Sequence, residues 1–259
     1  MLKLDNLSKS IEVTGAYEIK LLEAINLKFD LTDSSKMFYS VLAPFGGGKT
    51  TLLKIIAGIE KPSTGSVQLD GNPYKPELVK IIYIPEQPSS FPWLNVIDNI
   101  KAGSSKQKFD DKKIQQIIDL IGLTGYENHF PNNKSLGFRF RVSLGRALVN
   151  NPSIILLDDC FKSMNGDTQN EIYELIEKLR EYDCRFILTT TNLIEAIRLS
   201  DQIILMKKNP GKIFGEVEIK FSNIENRLNH KSEEFLSLKK LIEDKLSSEQ
   251  VIRTVHLSV

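Results

Sequence analysis

The chain has 259 residues, 41% of them hydrophobic and 26% charged, which suits one large domain with a lobe or tail and argues against disorder. Its 34 Lys and Arg nearly balance 33 Asp and Glu, so no field of one sign is available to attract nucleic acid, and no uncharged apolar run approaches the roughly 20 residues that span a bilayer. The start Met1-Leu2-Lys3-Leu4-Asp5 lacks the apolar stretch of a secretory signal, and Cys160 and Cys184 form no metal-ligand spacing, which together point to a reduced, cytosolic setting.

The first forty residues alternate apolar and polar in short segments, as in Lys20 to Phe29, and read as strands of an antiparallel patch. Met37 to Leu42 is a compact, buried strand that runs into Gly46-Gly47-Gly48, after which a helix opens at Lys49 and ends near Gly58. Ser66 to Leu69 with Asp70-Gly71 reads as a strand and a turn. From about Leu94 to Leu148 the spacing is helical, broken by polar loops. Ile154 to Leu157 then reads as a doubly buried strand, Gln169 to Tyr182 as a helix and Arg185 to Thr189 as another strand. Such alternation predicts a mainly parallel sheet with helices on both faces. Beyond Ser222 the chain turns polar, with one amphipathic helix expected near Ser232 to Leu246.

The pattern G-x-x-x-x-G-K-[ST] binds phosphate because backbone N–H groups wrap it at a helix N-terminus, the lysine meets the outer phosphates and the hydroxyl holds magnesium. Here the segment is Ala43-Pro44-Phe45-Gly46-Gly47-Gly48-Lys49-Thr50-Thr51, with alanine where the first glycine should stand. The predicted context, a strand before and a helix after, favours phosphate binding over a plain flexible turn.

The residues beyond the loop are more specific. Leu52-Leu53, Ile56-Ala57-Gly58, Pro62-Ser63, Gly65, Val67 and Asp70-Gly71 resemble the stretch after the phosphate loop in ATPase subunits of ABC-type transporters. Phe91 to Val96 with Asn99-Ile100 resembles the segment after that family's glutamine loop, Arg141 to Leu148 the helix after its signature motif, and Ile154 to Asp158 its Walker B strand. The likeness runs from about residue 4 to 215. It implies an α/β phosphate-loop NTPase core with a mainly parallel sheet, an N-terminal antiparallel β-subdomain and a helical subdomain at about 88–150. The nucleotide-binding domain would span 1–221, and 222–259 would form a C-terminal helical tail. Asn209-Pro210-Gly211-Lys212-Ile213, Ser232 to Phe235 and Leu238 resemble the importer group for nitrate, sulfonates and taurine.

The resemblance implies ATP and Mg2+ as ligands, with Gly46, Gly47, Gly48, Lys49, Thr50 and Thr51 on the phosphates and Thr50 and Asp158 on the ion. It also implies a second nucleotide-binding subunit, identical or not, whose signature loop completes the site. A transmembrane permease at the inner face of the cell membrane would be the direct partner and a solute-binding protein an indirect one.

Several positions depart from the family pattern. The general base is Asp159 instead of glutamate, one methylene shorter, where a positioned base contributes roughly 10² to 10⁴ in rate. Thr191 stands at the switch-histidine position and can hydrogen-bond phosphate but carries no charge and relays no proton as imidazole does. The signature motif aligns with Lys134 to Phe138, keeping Ser135 and Gly137 but placing Leu136 where a glycine lets backbone approach the γ-phosphate. Glu86 falls on the glutamine-loop position, with Gln87 one residue on, and Asn165 replaces the aspartate of the D-loop. The adenine-stacking aromatic falls near Ile11, with Tyr17 as a stand-in. Together these lead to two expectations: impaired, slow hydrolysis, or nucleotide binding without turnover as a clamp or regulatory device.

Overall fold

The protein is described by a computed structural model covering residues 1–13, 17–74, 80–104, 110–132, 134–182 and 184–255, with side chains placed for these except 17 and 249–255. The stand-in Tyr17 side chain therefore lies outside the described residues. The chain forms two compact units, Met1–Tyr74 with Ile187–Val259, and Lys75–Phe186.

In the first unit, β1 (Leu2–Val13), β2 (Tyr17–Phe29), β4 (Thr64–Leu69) and β5 (Asn72–Pro73) make an antiparallel sheet in the order β2-β1-β4-β5. Leu2, Leu4 and Leu7 of β1 and Leu22, Ile25, Leu27 and Phe29 of β2 bury the apolar positions of this patch. The same unit carries β3 (Phe38–Leu42), β9 (Gln202–Lys207) and β10 (Lys212–Glu218), and takes Ile187 to Thr190 of β8 (Arg185–Thr190). Their order is β10-β9-β3-β8, with β3 parallel to β9 and β10 antiparallel to it. All five residues of β3 are buried, as a strand covered on both faces requires.

α1 (Lys49–Ile56) follows β3, and α6 (Leu193–Leu199) follows β8. The chain then closes with α7 (Ile224–Leu228) and α8 (Glu233–Val255). The expected tail helix is present but runs well past Leu246. Phe235 and Ile242 of α8 are almost fully buried against Ala196, Ile197, Ile203, Leu205 and Val217, so the first turns of α8 belong to the core.

In the second unit, β6 (Ile81–Ile84) pairs in parallel with β7 (Ile154–Asp158), with Tyr83 opposite Leu156. Around them stand α2 (Val96–Lys101), α3 (Asp111–Leu120), α4 (Leu136–Leu148) and α5 (Gly166–Lys178). The sequence places α5 from Gln169; it begins at Gly166 because the Asn165 side chain accepts the Thr168 N–H and caps it there. At its other end a single 3-10 turn, Leu179–Glu181, replaces the last expected helical residues. Strands β6, β9 and β10 have no counterpart among the sequence expectations, because their short apolar runs carry no periodicity.

Candidate functional site

The first unit builds the phosphate loop between β3 and α1. Gly46 and Gly48 adopt φ of 76° and 85°, a backbone region that side chains other than glycine rarely enter. A Cβ on Gly48 would also lie 2.7 Å from Leu22 Cδ2, so β2 backs the loop closely. Lys49 is buried, at 6% exposure, and its Nζ donates to the Ala43 carbonyl at 3.2 Å, holding the ammonium along the loop.

The N-terminus of α1 differs from those of the other helices. Asn95, Asp110, Ser135, Asn165, Asn192 and Asn223 cap α2 to α7 with side-chain oxygens. On α8, Ser232 Oγ accepts from Phe235 N at 3.3 Å. α1 is preceded by Gly48, receives no side-chain cap and has no acidic residue in its first turn. The positive end of its dipole therefore faces no acidic side chain of its own first turn and favours an anion.

The turn between β9 and β10 buttresses the same loop. Gly211 N donates to Leu21 O at 2.9 Å, and Glu23 N donates to Gly211 O at 3.0 Å. A Cβ on Gly211 would lie 2.4 Å from the Gly47 carbonyl oxygen. Only glycine lets this turn reach the loop. Lys212 Nζ lies 2.8 Å from a carboxylate oxygen of Glu23, and that hydrogen bond holds the Glu23 carboxyl below its ordinary range. Thr191 is exposed at the end of β8 and, with Ala43, Pro44, Met206, Phe214 and Leu246 of α8, lines a cavity of about 430 Å³.

The second unit holds the acids. Asp158, at the end of β7, is 2% exposed and accepts a hydrogen bond from the Tyr83 hydroxyl at 2.7 Å. Sequence reasoning passes over Tyr83, which lies in a strand it does not assign. Asp159 has φ of 47°, a left-handed conformation that Asp and Asn enter far more readily than Glu. Cys160 is buried, and its Sγ donates to Ile84 O at 3.4 Å, a packing role. Glu86 lies 3.9 Å from Lys162 Nζ, while Gln87 is exposed.

Around the signature segment, Ser135 Oγ accepts from Phe138 N at 3.2 Å and so caps α4. Leu136 is the first helical residue and half-buried. Gly137 is buried: a Cβ there would lie 2.4 Å from Thr168 Cγ2, so this glycine lets α4 meet α5.

The segment from Phe91 to Asn95 is organised by the fully buried Asn99. Its side chain accepts from Phe91 N at 2.7 Å and donates to Phe91 O at 3.0 Å, to Leu94 O at 2.8 Å and to Asn95 O at 3.0 Å. Trp93 is left 70% exposed. The Arg146 guanidinium stacks 4.8 Å from the Phe91 ring centre and bonds Ser89, and its burial lowers its pKa.

The ABC transporter family profile matches residues 26–162, just over half of the chain. The aliphatic sulfonates import ATP-binding protein of Bacillus cereus is 32% identical over 238 residues, 91% of this chain and 92% of its own. An uncharacterized ABC transporter ATP-binding protein of Methanocaldococcus jannaschii is 32% identical over 253 residues, covering 96% and 92%. The chain belongs to the ABC transporter family.

Solved ATP-binding cassettes share its fold. The cassette MJ0796, solved as a dimer in a post-hydrolysis state with ADP and Pi, has a TM-score of 0.71 and 28% identity over 85% of this chain and 100% of its own. The cassette cbiO1 of Clostridium perfringens, at 20% identity and the same TM-score of 0.71, covers 100% of this chain and 95% of its own. The fold is thus the phosphate-loop α/β core of the ABC ATPases, with the antiparallel N-terminal sheet and the helical lobe that the sequence predicts. Among the described residues, no cluster of three or more His, Cys, Asp or Glu is placed to hold a metal alone. The exposed Thr50 hydroxyl in the first unit and the Asp158 carboxylate in the second are each an oxygen donor of the kind Mg2+ takes. No helix of the described residues is long and apolar enough to cross a membrane.

Proposed function

We propose that this ABC cassette binds Mg-ATP and serves as the ATP-binding subunit of an importer for a small solute of the sulfonate, nitrate or taurine class. The observation that carries the nucleotide reading is the uncapped α1 behind three glycines, with Lys49 buried along the loop. The import reading rests on relatives 32–34% identical over most of their length that bear an aliphatic sulfonate importer name.

Gly46, Gly47, Gly48 and the first N–H groups of α1 would hold the phosphates, and Lys49 and Thr51 would assist. Thr50 and Asp158 would hold Mg2+, which supplies charge neutralisation on the phosphate oxygens. Asp159 would orient water, Thr191 would hydrogen-bond phosphate without charge, and Gln87 would stand in for the glutamine that Glu86 replaces. The partner's Ser135 and Gly137 segment would close the site across a dimer of nucleotide-binding subunits. We assign residues 1–221 to the nucleotide-binding domain and 222–259 to the tail. The cassette would sit at the cytoplasmic face under a permease that docks on the exposed Phe91–Trp93 segment, with a solute-binding protein delivering from the far side.

Thr191 and Leu136 favour a second reading, in which ATP clamps or regulates without turnover. Enzyme in excess over labelled Mg-ATP, beside Lys49→Ala, separates the two when bound nucleotide and released phosphate are both measured. Slow release that vanishes with Lys49→Ala supports an impaired ATPase. Binding without release, also with a permease present, supports the clamp. Absence of binding overturns both.

A further inference from the structure

We infer that Tyr83 is a positioning residue for the bound magnesium nucleotide, acting through Asp158; this inference rests on the reading of the chain as a nucleotide-binding cassette. Asp158 is 2% exposed, and a polar group so far from solvent needs hydrogen-bond partners. The Tyr83 hydroxyl donates to its Oδ2 at 2.7 Å, a good length for a hydrogen bond to an anion.

The strands explain why this donor is so well placed. β6 and β7 run parallel with Tyr83 opposite Leu156 and Ile84 opposite Leu157, so a long side chain from Tyr83 reaches the carboxylate at the end of β7. A phenol is rigid and its backbone is pinned by the ladder. It therefore fixes the plane of the carboxylate, and with it the direction in which that group meets a cation or its water shell. Tyr83 also lines a cavity of about 270 Å³ together with Ser89, Phe91, Ser143 and Arg146. A leucine would lose both the hydroxyl and this packing. Phenylalanine loses the hydroxyl alone.

The test uses the full chain and the Tyr83→Phe, Asp158→Asn and double variants. ATP affinity is measured with Mg2+ and with EDTA, and Mn2+-nucleotide binding is followed by electron paramagnetic resonance. Tyr83→Phe should cut the cation-dependent gain in ATP affinity by about 3- to 10-fold, the worth of one such hydrogen bond, and leave affinity in EDTA unchanged. In the Asp158→Asn background the same change should have no further effect, because the hydroxyl acts through that carboxylate. If tyrosine merely packs, Tyr83→Phe keeps the full cation-dependent gain, or loses affinity equally in EDTA; either result overturns the inference while the nucleotide reading stands. If the wild-type chain binds ATP with no cation-dependent gain, the inference falls and nucleotide binding stands; if it binds no ATP in either condition, both fall.

Discussion

Asp159 and Gly211 each make sense only once backbone geometry is known. At φ of 47°, Asp159 occupies a conformation where aspartate and asparagine are the least costly residues apart from glycine. The missing methylene of the family's glutamate is thus matched by a gain in backbone fit. Asp159→Asn should fold with unchanged stability and lose any phosphate release, isolating the charge. Restoring the family residue, Asp159→Glu, should cost about 1 kcal/mol in urea unfolding. An Asp159→Glu chain as stable as the parent would show that φ does not govern the choice. Gly211 is constrained by proximity, with no room for a Cβ beside Gly47 O. Gly211→Ala should therefore push on the phosphate loop and weaken ATP binding about tenfold or more, a cost of the size of a tight core clash, with equilibrium titration as the check.

Asn99 and α8 set the predictions that belong to whole elements. Four hydrogen bonds from one buried amide hold the stretch from Phe91 to Asn95 ahead of α2. Asn99→Ala removes the side-chain partner of the Phe91 N–H and the Leu94 carbonyl and should cost about 2–4 kcal/mol, read from the unfolding midpoint. α8 is fastened by Phe235 and Ile242. Phe235→Ala should cost about 3–5 kcal/mol through the cavity it opens, and a much smaller loss would mean the helix packs only peripherally.

How far these elements can be read from sequence depends on the kind of signal each carries. β3, α1 and β7 are legible, because long apolar runs and the glycine-lysine loop announce themselves. β6 and β9 are not, since a run of four apolar residues fits a strand or a buried helix equally well. In sequence Asn165 reads as a lost aspartate, and its capping of α5 emerges only from geometry, because a helix start depends on which N–H the side chain meets. Tyr83 is invisible for a related reason: nothing local in its sequence ties it to Asp158.

At the scale of the whole molecule, the departures from the family pattern act together. In a symmetric pair of these chains, two-fold symmetry would place Leu136 and Thr191 in both composite sites. Leu136 begins α4, so glycine there costs at most about 1 kcal/mol of helix stability. Leu136→Gly should then leave ATP affinity of the single chain unchanged and strengthen Mg-ATP-dependent dimerisation several-fold by sedimentation. Unchanged dimerisation would move the blame from Leu136 to the pairing itself, and favour an intact paralogue as partner.

The bare start of α1 has a consequence for how this protein is handled and regulated. Its neighbours among the described helices carry a side-chain acceptor at their start, and at α1 an anion from the solution would supply that charge. The anion that supplies it is, in thermodynamic terms, a detachable piece of secondary structure. The melting temperature is then a readout of nucleotide supply, because a ligand at a hundred times its dissociation constant adds about 2.7 kcal/mol to the native state. With ATP bound as proposed, its depletion would leave this chain in its least stable form, and the chain's lifetime would track the nucleotide level around it.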